Sequence, residues 1–466
     1  MVVWDAWRAA QITGRTRLRR LCWLGTRVVL TCEQSSEPEK LLLLHSAGLL
    51  VPGACGERSV IDTGVVRLTG HIAFFSFPVY SHIAPTLPVV TGLVERGHRV
   101  TYVVADHHAA TVVRTGAEVL AYESAVRWED GLPSGQTQQG MKQTVFSFVR
   151  EGLAPLEKAL AHFADDVPDL FVHDLAASET ARILAKHWDR PIAQSCPNLA
   201  SSDTFSLNES QAEQPHAHIE VSDPEVLEFF AAQTRLIEEL GLAEVDIEGF
   251  GGNSAPNLVF LPRQFQVNGE QFPERFGFVG PCAAPTSSPE WSPPQGKDQV
   301  ALVSLGTSHS PDRVEFLARC VEALADTPWH VVITLGGRLD AEVLGELPEN
   351  VEVHRWLPNS SVLRHASVFV THCGIGSVME SLSAGVPMMC VPHHADQVVA
   401  AEQVVRLGLG RMVDRSRAGA ETIRAEISEV ASDARYRNSA ETMRDHIAQA
   451  GGVPRAVELV ESWLAA

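Results

Sequence analysis

The densest chemistry in the chain lies in one run, Thr371-His372-Cys373-Gly374-Ile375-Gly376-Ser377-Val378-Met379-Glu380. An apolar β-type segment, Val368 to His372, leads into it, and a helical segment, Ser377 to Ser383, leaves it. A strand that turns through glycines into a helix leaves the first helical N–H groups unpaired at the positive end of the helix dipole, which suits a phosphate. Taken alone, such a run is also a plain turn between core elements. Here it has company: Trp356-Leu357-Pro358-Asn359 stands upstream, and Gly385-Val386-Pro387, Pro392 and Asp396-Gln397 follow. In the first half, His82 ends a Pro-containing loop after the β-rich run Ile72 to Phe77. A lone loop histidine reads as a solvated surface residue. Asp174, however, closes another strand-like run, so carboxylate and imidazole can meet above one sheet edge.

The elements that must position these residues alternate regularly. Ile72 to Phe77 reads as a strand, Leu87 to Arg96 as a helix ended by Gly97-His98-Arg99, and Val100 to Val104 as the next strand, a β-α-β unit. The alternation recurs at Leu170 to His173, Ser178 to His187 and Pro191 to Ser195. Residues 285–296 hold four prolines and read as a linker. Beyond it come strand Val300 to Leu305, helix Val314 to Ala325, and strands His330 to Leu335, Val351 to His354, Val368 to His372 and Met388 to Val391. The predicted fold is therefore α/β, two doubly wound domains in tandem with ligands beyond the carboxyl ends of their strands. Ser201 to Gly252, helical from Pro224 to Leu240, breaks the alternation and reads as an insertion over the cleft.

Composition agrees. A chain of 466 residues, 45% hydrophobic and 20% charged, has material for two or three domains and is no disordered segment. With 37 basic and 57 acidic residues the net charge is −20, which speaks against a nucleic-acid partner. Eight cysteines without a C-x-x-C pair indicate neither a zinc site nor a disulfide framework and fit a cytoplasmic protein. No apolar run reaches the ~18 residues of a membrane span. Residues 1–32 carry six arginines and one acid, and this region is either a weakly ordered extension or translated sequence ahead of the true start.

The ordered set W-x-P, H-C-G-x-G-S-x-x-E, G-V-P and D-Q resembles the donor signature of UDP-sugar-dependent glycosyltransferases with the two-domain B-type fold (GT-B). The runs H-I-A-F-F-S-F-P-V-Y-S-H and D-L-F-V-H-D are similar to its macrolide-glycosylating branch, and the resemblance covers His71 to the carboxyl terminus. It implies two Rossmann-like domains facing a central cleft: an extension over residues 1–69, an acceptor-binding domain over 70–284, a linker over 285–299, a nucleotide-sugar domain over 300–450 and a C-terminal helix over 451–466. His82 is implied as general base with Asp174 as its partner, and His173 as structural. On the donor side, Trp356 would stack on uracil and the Leu357 backbone would bond its edge. Glu380 would hold the ribose, beside Asn359 where the family more often has Gln. His372, Gly374, Gly376, Ser377 and Thr307 would surround the phosphates, and Asp396 and Gln397 would bond sugar hydroxyls.

No D-x-D triplet occurs, so no metal on the diphosphate and no cofactor is expected, and the adjacent pairs His107-His108 and His393-His394 lack ligand spacing to a third group. Trp128, Met141, Phe146, Phe148 and Phe205, with Phe229 and Phe230, are apolar enough to line an acceptor pocket or to be core. The expected activity is inverting transfer of a hexose, glucose, from UDP-glucose to a hydroxyl of a hydrophobic small molecule such as a macrolide or polyphenol, by a monomer or homodimer. Three rivals stay open: a TDP-deoxysugar transferase, a non-catalytic activator subunit of the same fold, and a transferase acting on lipid at a membrane surface.

Overall fold

The computed structural model describes residues 69–465 apart from 129–136, 208–209, 211–221, 243–254, 284–290, 297–298, 308–311 and 338. The expected extension up to residue 68 and part of the expected linker lie outside the described residues.

Among the described residues, seven strands make one parallel sheet: β1 (His71–Phe75), β2 (Arg99–Ala105), β3 (Glu118–Tyr122), β4 (Leu170–Asp174), β5 (Ile192–Cys196), β6 (Asn257–Val259) and β7 (Phe276–Phe278). Their spatial order is β3-β2-β1-β4-β5-β6-β7. The chain winds outward from β1 to β3 and then crosses back to lay β4 on the other side of β1, with Phe75 opposite His173. Six more strands make a second parallel sheet: β8 (Val300–Ser304), β9 (His330–Thr334), β10 (Val351–His354), β11 (Val368–Thr371), β12 (Met388–Cys390) and β13 (Gly410–Met412). Here the order is β10-β9-β8-β11-β12-β13, and Thr371 lies opposite Ser304. Each sheet thus has a switch point, β1/β4 in the first and β8/β11 in the second, where crossovers leave in opposite directions and open a crevice.

The central strands β1, β4, β8 and β9 are buried at every residue, as near-continuous apolar runs covered on both faces by helices must be. A further apolar cluster joins the halves, with Leu199, Leu261 and Phe265 of the first among Leu302, Phe369 and Met388 of the second. Gln403 fastens the contact by donating to the Phe265 carbonyl at 2.7 Å.

Two later segments pack on the first half. The last helix, Gly452–Leu464, buries Ala456, Val457 and Val460 against Ile72, Val89 and Leu93 of the first half. Its Glu461 pairs with Arg96 at 2.7 Å and His98 at 3.2 Å. The supposed insertion does not cover the cleft with its helix. Pro224–Glu239 buries Val226, Phe229 and Phe230 in the first domain's core, and Lys142 bonds Asp223 at 3.0 Å and Glu225 at 2.5 Å across the contact.

Candidate active site

His82 sits in the short helix Tyr80–Ile83 after β1, and Asp174 is the last residue of β4, so both stand at the first switch point. Nδ1 of His82 lies 3.0 Å from each carboxylate oxygen of Asp174. The carboxylate is fully buried while the imidazole keeps 20% of its surface. Oδ1 of Asp174 also accepts the Ala176 N–H at 2.7 Å, which fixes the carboxylate's orientation. With Nδ1 engaged, Nε2 is the nitrogen left to receive a proton. Burial lowers the imidazole's pKa, but the Asp174 charge, its hydrogen bond and the Asp396 carboxylate oppose it, and the net shift is upward. Asp396 belongs to the second half, so the two halves hold these groups within electrostatic range. His173 is buried on the other face of β4 with Nδ1 2.9 Å from the Asp174 carbonyl, and burial drives its pKa down to about 3. It is a neutral core residue, as strand alternation requires.

Aromatic rings abut His82. Phe77, which the spacing argument passed over, packs 5.2 Å from the imidazole, and Trp128 and Phe148 pack on it at 4.4 and 5.2 Å. Both outer rings are half-buried. Phe146 is a correction: it is core, stacked on Phe229 at 4.0 Å. In helix Gln138–Leu153 two residues are about 200° apart, so Phe146 and Phe148 take opposite sides. Phe229 and Phe230 share that core, and Met141 packs against it. Phe205 is half-buried and packs on the cluster between the two sheets.

Across the cleft, the glycine-rich run follows β11. Cys373 takes the left-handed conformation (φ +63°), Gly374 caps the helix Ile375–Ser383 without a side-chain bond, and Ile375, Val378, Met379 and Leu382 bury one face. A Cβ on Gly376 would meet nothing within 4 Å, so the first turn opens into space. His372 is held between glycines: a Cβ on Gly306 would stand 2.5 Å from its Cε1, and one on Gly374 2.6 Å from its Nε2. Among the described residues its buried Nδ1 has no hydrogen-bond partner. Burial first, and then the electrostatic fields of Arg313, His394 and Arg415, lower its pKa to about 3, so it is a neutral imidazole. Arg313 stands behind the loop and donates to the carbonyls of Gly306 at 2.6 Å and Leu335 at 3.0 Å.

The remaining donor candidates lie on the loops and helices that follow the strands of the same sheet. Trp356 is 62% exposed, a free stacking face beside Gly337. Leu357 is half-buried against the joining cluster. Asn359 donates to Glu380 Oε2 at 3.0 Å, a tether that sequence spacing did not reveal. Water reaches Glu380, yet the surrounding protein desolvates it and raises its pKa, and the Asn359 bond opposes this. Thr307 is exposed beyond β8, and Ser377 is half-buried. Gln397 departs from expectation: it is buried, and its carbonyl accepts the N–H groups of His393 at 2.9 Å and His394 at 3.2 Å, capping helix Ala395–Arg406. Asp396, the other member of that pair, is half-buried. Among the described residues no cluster of His, Cys, Asp and Glu could hold a metal ion.

Two facing parallel-sheet domains, with a His–Asp pair at one switch point and a glycine-walled helix start at the other, define a glycosyltransferase of the B-type fold. Residues 318–464 match the family described as Erythromycin biosynthesis protein CIII-like, C-terminal domain. The chain is 33% identical over 400 residues to NDP-glycosyltransferase YjiC of Bacillus licheniformis, covering 85% of this chain and 98% of that one. It is 35% identical over 420 residues to demethyllactenocin mycarosyltransferase of Streptomyces fradiae, covering 87% and 89%. A crystal structure of the calicheamicin glycosyltransferase CalG4 superposes with a TM-score of 0.74 at 35% identity, over 85% of this chain and 99% of that one. The chain belongs to the macrolide-glycosyltransferase-like branch of the B-fold glycosyltransferases.

Proposed function

We propose that this enzyme transfers glucose from UDP-glucose, with inversion, to a hydroxyl of a hydrophobic small molecule, a macrolide or polyphenol, in the cytoplasm. The observation that carries the reading is the buried Asp174 carboxylate, both oxygens 3.0 Å from His82 Nδ1, at the mouth of the cleft. The acceptor hydroxyl gives its proton to His82 Nε2 while its oxygen attacks the anomeric carbon from the face opposite the diphosphate. The C–O bond to the diphosphate breaks, and the leaving charge falls on the open first turn of helix Ile375–Ser383, His372 and Thr307. Asp174 stabilises the imidazolium that forms. Trp356 stacks on the base, Asn359 aims Glu380 at the ribose, and Asp396 bonds a sugar hydroxyl. No step in this scheme needs a metal.

One observation favours a second reading, in which the donor is a TDP-deoxysugar. The Gln397 carbonyl is spent on backbone N–H groups, so fewer polar atoms await sugar hydroxyls than a D-Q pair suggests. The mycarosyltransferase likeness points the same way. A non-catalytic subunit would have no need of the intact dyad and phosphate turn, and among the described residues no helix is long and apolar enough to cross a membrane. The test is mass spectrometry of a macrolide and polyphenol panel incubated with UDP-glucose or a TDP-deoxysugar. A gain of one hexose from UDP-glucose supports the first reading, and a gain of one deoxysugar only from the TDP donor replaces it with the second.

A further inference from the structure

A second buried carboxylate stands on the acceptor side, and the transfer scheme does not use it. Glu151, fully buried in the last turn of helix Gln138–Leu153, accepts three hydrogen bonds. Tyr122 donates its hydroxyl to Oε1 at 2.8 Å, while Ser124 Oγ at 2.8 Å and Trp128 Nε1 at 3.1 Å both donate to Oε2. Tyr122 ends β3, and Ser124 and Trp128 lie on the loop that follows, so one carboxylate ties the end of the strand to two points of that loop. A buried carboxylate is held in place by such donors, and donors left without it would be stranded.

Trp128 brings the described part of the loop to the wall of the site. Trp128 packs on Phe77 at 4.4 Å and on Phe148 at 5.1 Å, and Phe77 packs on His82 at 5.2 Å. Phe148 rides on the same helix as Glu151, so the helix supplies one ring of the wall and, through its carboxylate, aims another. An indole N–H can only donate, which makes the acceptor atom on Glu151 decisive for the ring's orientation. We propose that Glu151 is a positioning residue for acceptor recognition: by fixing the indole of Trp128 it sets the aromatic wall against which a flat, aromatic hydroxyl-bearing acceptor is laid before His82. This rests on the proposed transfer reaction, with the acceptor on the His82 side. Stacked and edge-on rings suit a planar acceptor better than a puckered aliphatic one.

The test is steady-state kinetics with UDP-glucose as donor and a flavonol as acceptor, with UDP affinity measured by calorimetry on each folded variant. Glu151→Met strands the Tyr122 hydroxyl and the Trp128 N–H, while Ser124 Oγ keeps the Val126 carbonyl at 2.8 Å, and Trp128→Phe keeps an aromatic ring but deletes the bond. Each is expected to raise the flavonol KM about tenfold or more while the UDP-glucose KM and UDP affinity stay within about twofold. The double variant should be no worse than the poorer single one, because both remove the Glu151–Trp128 bond. Glu151→Gln should recover most of the loss, since the Tyr122 hydroxyl can turn to accept from the amide while the remaining oxygen still serves Trp128. If Glu151→Met does not fold, Trp128→Phe and Glu151→Gln carry the comparison. Folded variants with an unchanged flavonol KM, or with flavonol and UDP-glucose KM rising together, would overturn the assignment. Wild-type protein that transfers no sugar to any acceptor would instead remove the reaction on which it rests.

Discussion

Asp174→Asn is the perturbation that separates the dyad's electrostatics from mere shape. The side chain keeps its volume, but the two 3.0 Å contacts to His82 Nδ1 lose their charge. Hydrogen bonds to charged groups contribute about 1.5–3 kcal/mol, which at about 1.4 kcal/mol per tenfold is a loss of ~10–150-fold in kcat. The Asn amide can also present its NH2 to Nδ1, moving the imidazole proton to Nε2 and disabling the base, so the loss can approach the ~10²–10⁴-fold that general-base assistance supplies. The pH profile adds a sign. In the wild type the Asp174 carboxylate and Asp396 overcome burial and raise the His82 pKa, so the rate falls as pH drops through a value above 6.5. Without the carboxylate burial dominates and the acid limb moves to lower pH, while UDP affinity, set by the other domain, stays put. The assay is a kcat/KM profile from about pH 5 to 9 beside UDP calorimetry. A plateau within about threefold of wild type, or an acid limb that moves up, would refute the dyad.

Other outcomes follow from the same geometry. Gly306→Ala should weaken UDP at least about tenfold by calorimetry with the fold retained, because its Cβ would stand 2.5 Å from His372 Cε1; unchanged affinity would detach His372 from the phosphates. Trp356→Ala should weaken UDP itself, whereas Asp396→Ala should spare UDP and slow transfer from UDP-glucose; equal losses of UDP affinity would misplace the sugar. Glu179, whose carboxyl burial raises its pKa to about 7 from an ordinary 4.5, binds a proton more tightly folded than unfolded, so its contribution to stability declines as pH rises from 4.5 to 7. Glu179→Gln should therefore raise the melting temperature near pH 8, by up to about 3 kcal/mol in stability, and leave it unchanged near pH 4; a destabilised variant at both pH values would contradict this.

The long apolar runs made the double alternation legible, because strands covered on both faces must be near-continuous in Val, Ile, Leu and Phe, as Leu170 to Asp174 and Val300 to Ser304 are. Strands β6, β7 and β13, like β12, have three residues each, too few for any period; β12 was legible from its apolar run Met388 to Val391, whereas the other three are defined by the neighbours that pair with them. His82 and Asp174 were legible as a pair because each ends a strand-to-loop transition on one sheet edge. Phe146 and Phe148 were not separable without the helix phase, nor could Gln397 be read as a cap before its N–H partners were placed. Asn359 shows the limit of motif reading: its 3.0 Å bond to Glu380 is not legible in the order of the motifs. The return of the last helix to the first domain depends on contacts more than 360 residues apart, such as Arg96 with Glu461, which no local pattern carries.

The central claim is that His82 removes the acceptor's proton on one domain while the nucleotide is bound on the other. The most direct measurement is the turnover of His82→Ala beside its UDP affinity, in the same preparation and with UDP-glucose and a flavonol. The account predicts a fall in kcat of ~10²–10⁴-fold with UDP affinity within about twofold of wild type. Wild-type turnover by the alanine variant, or a loss of UDP affinity as large as the loss of rate, would contradict it.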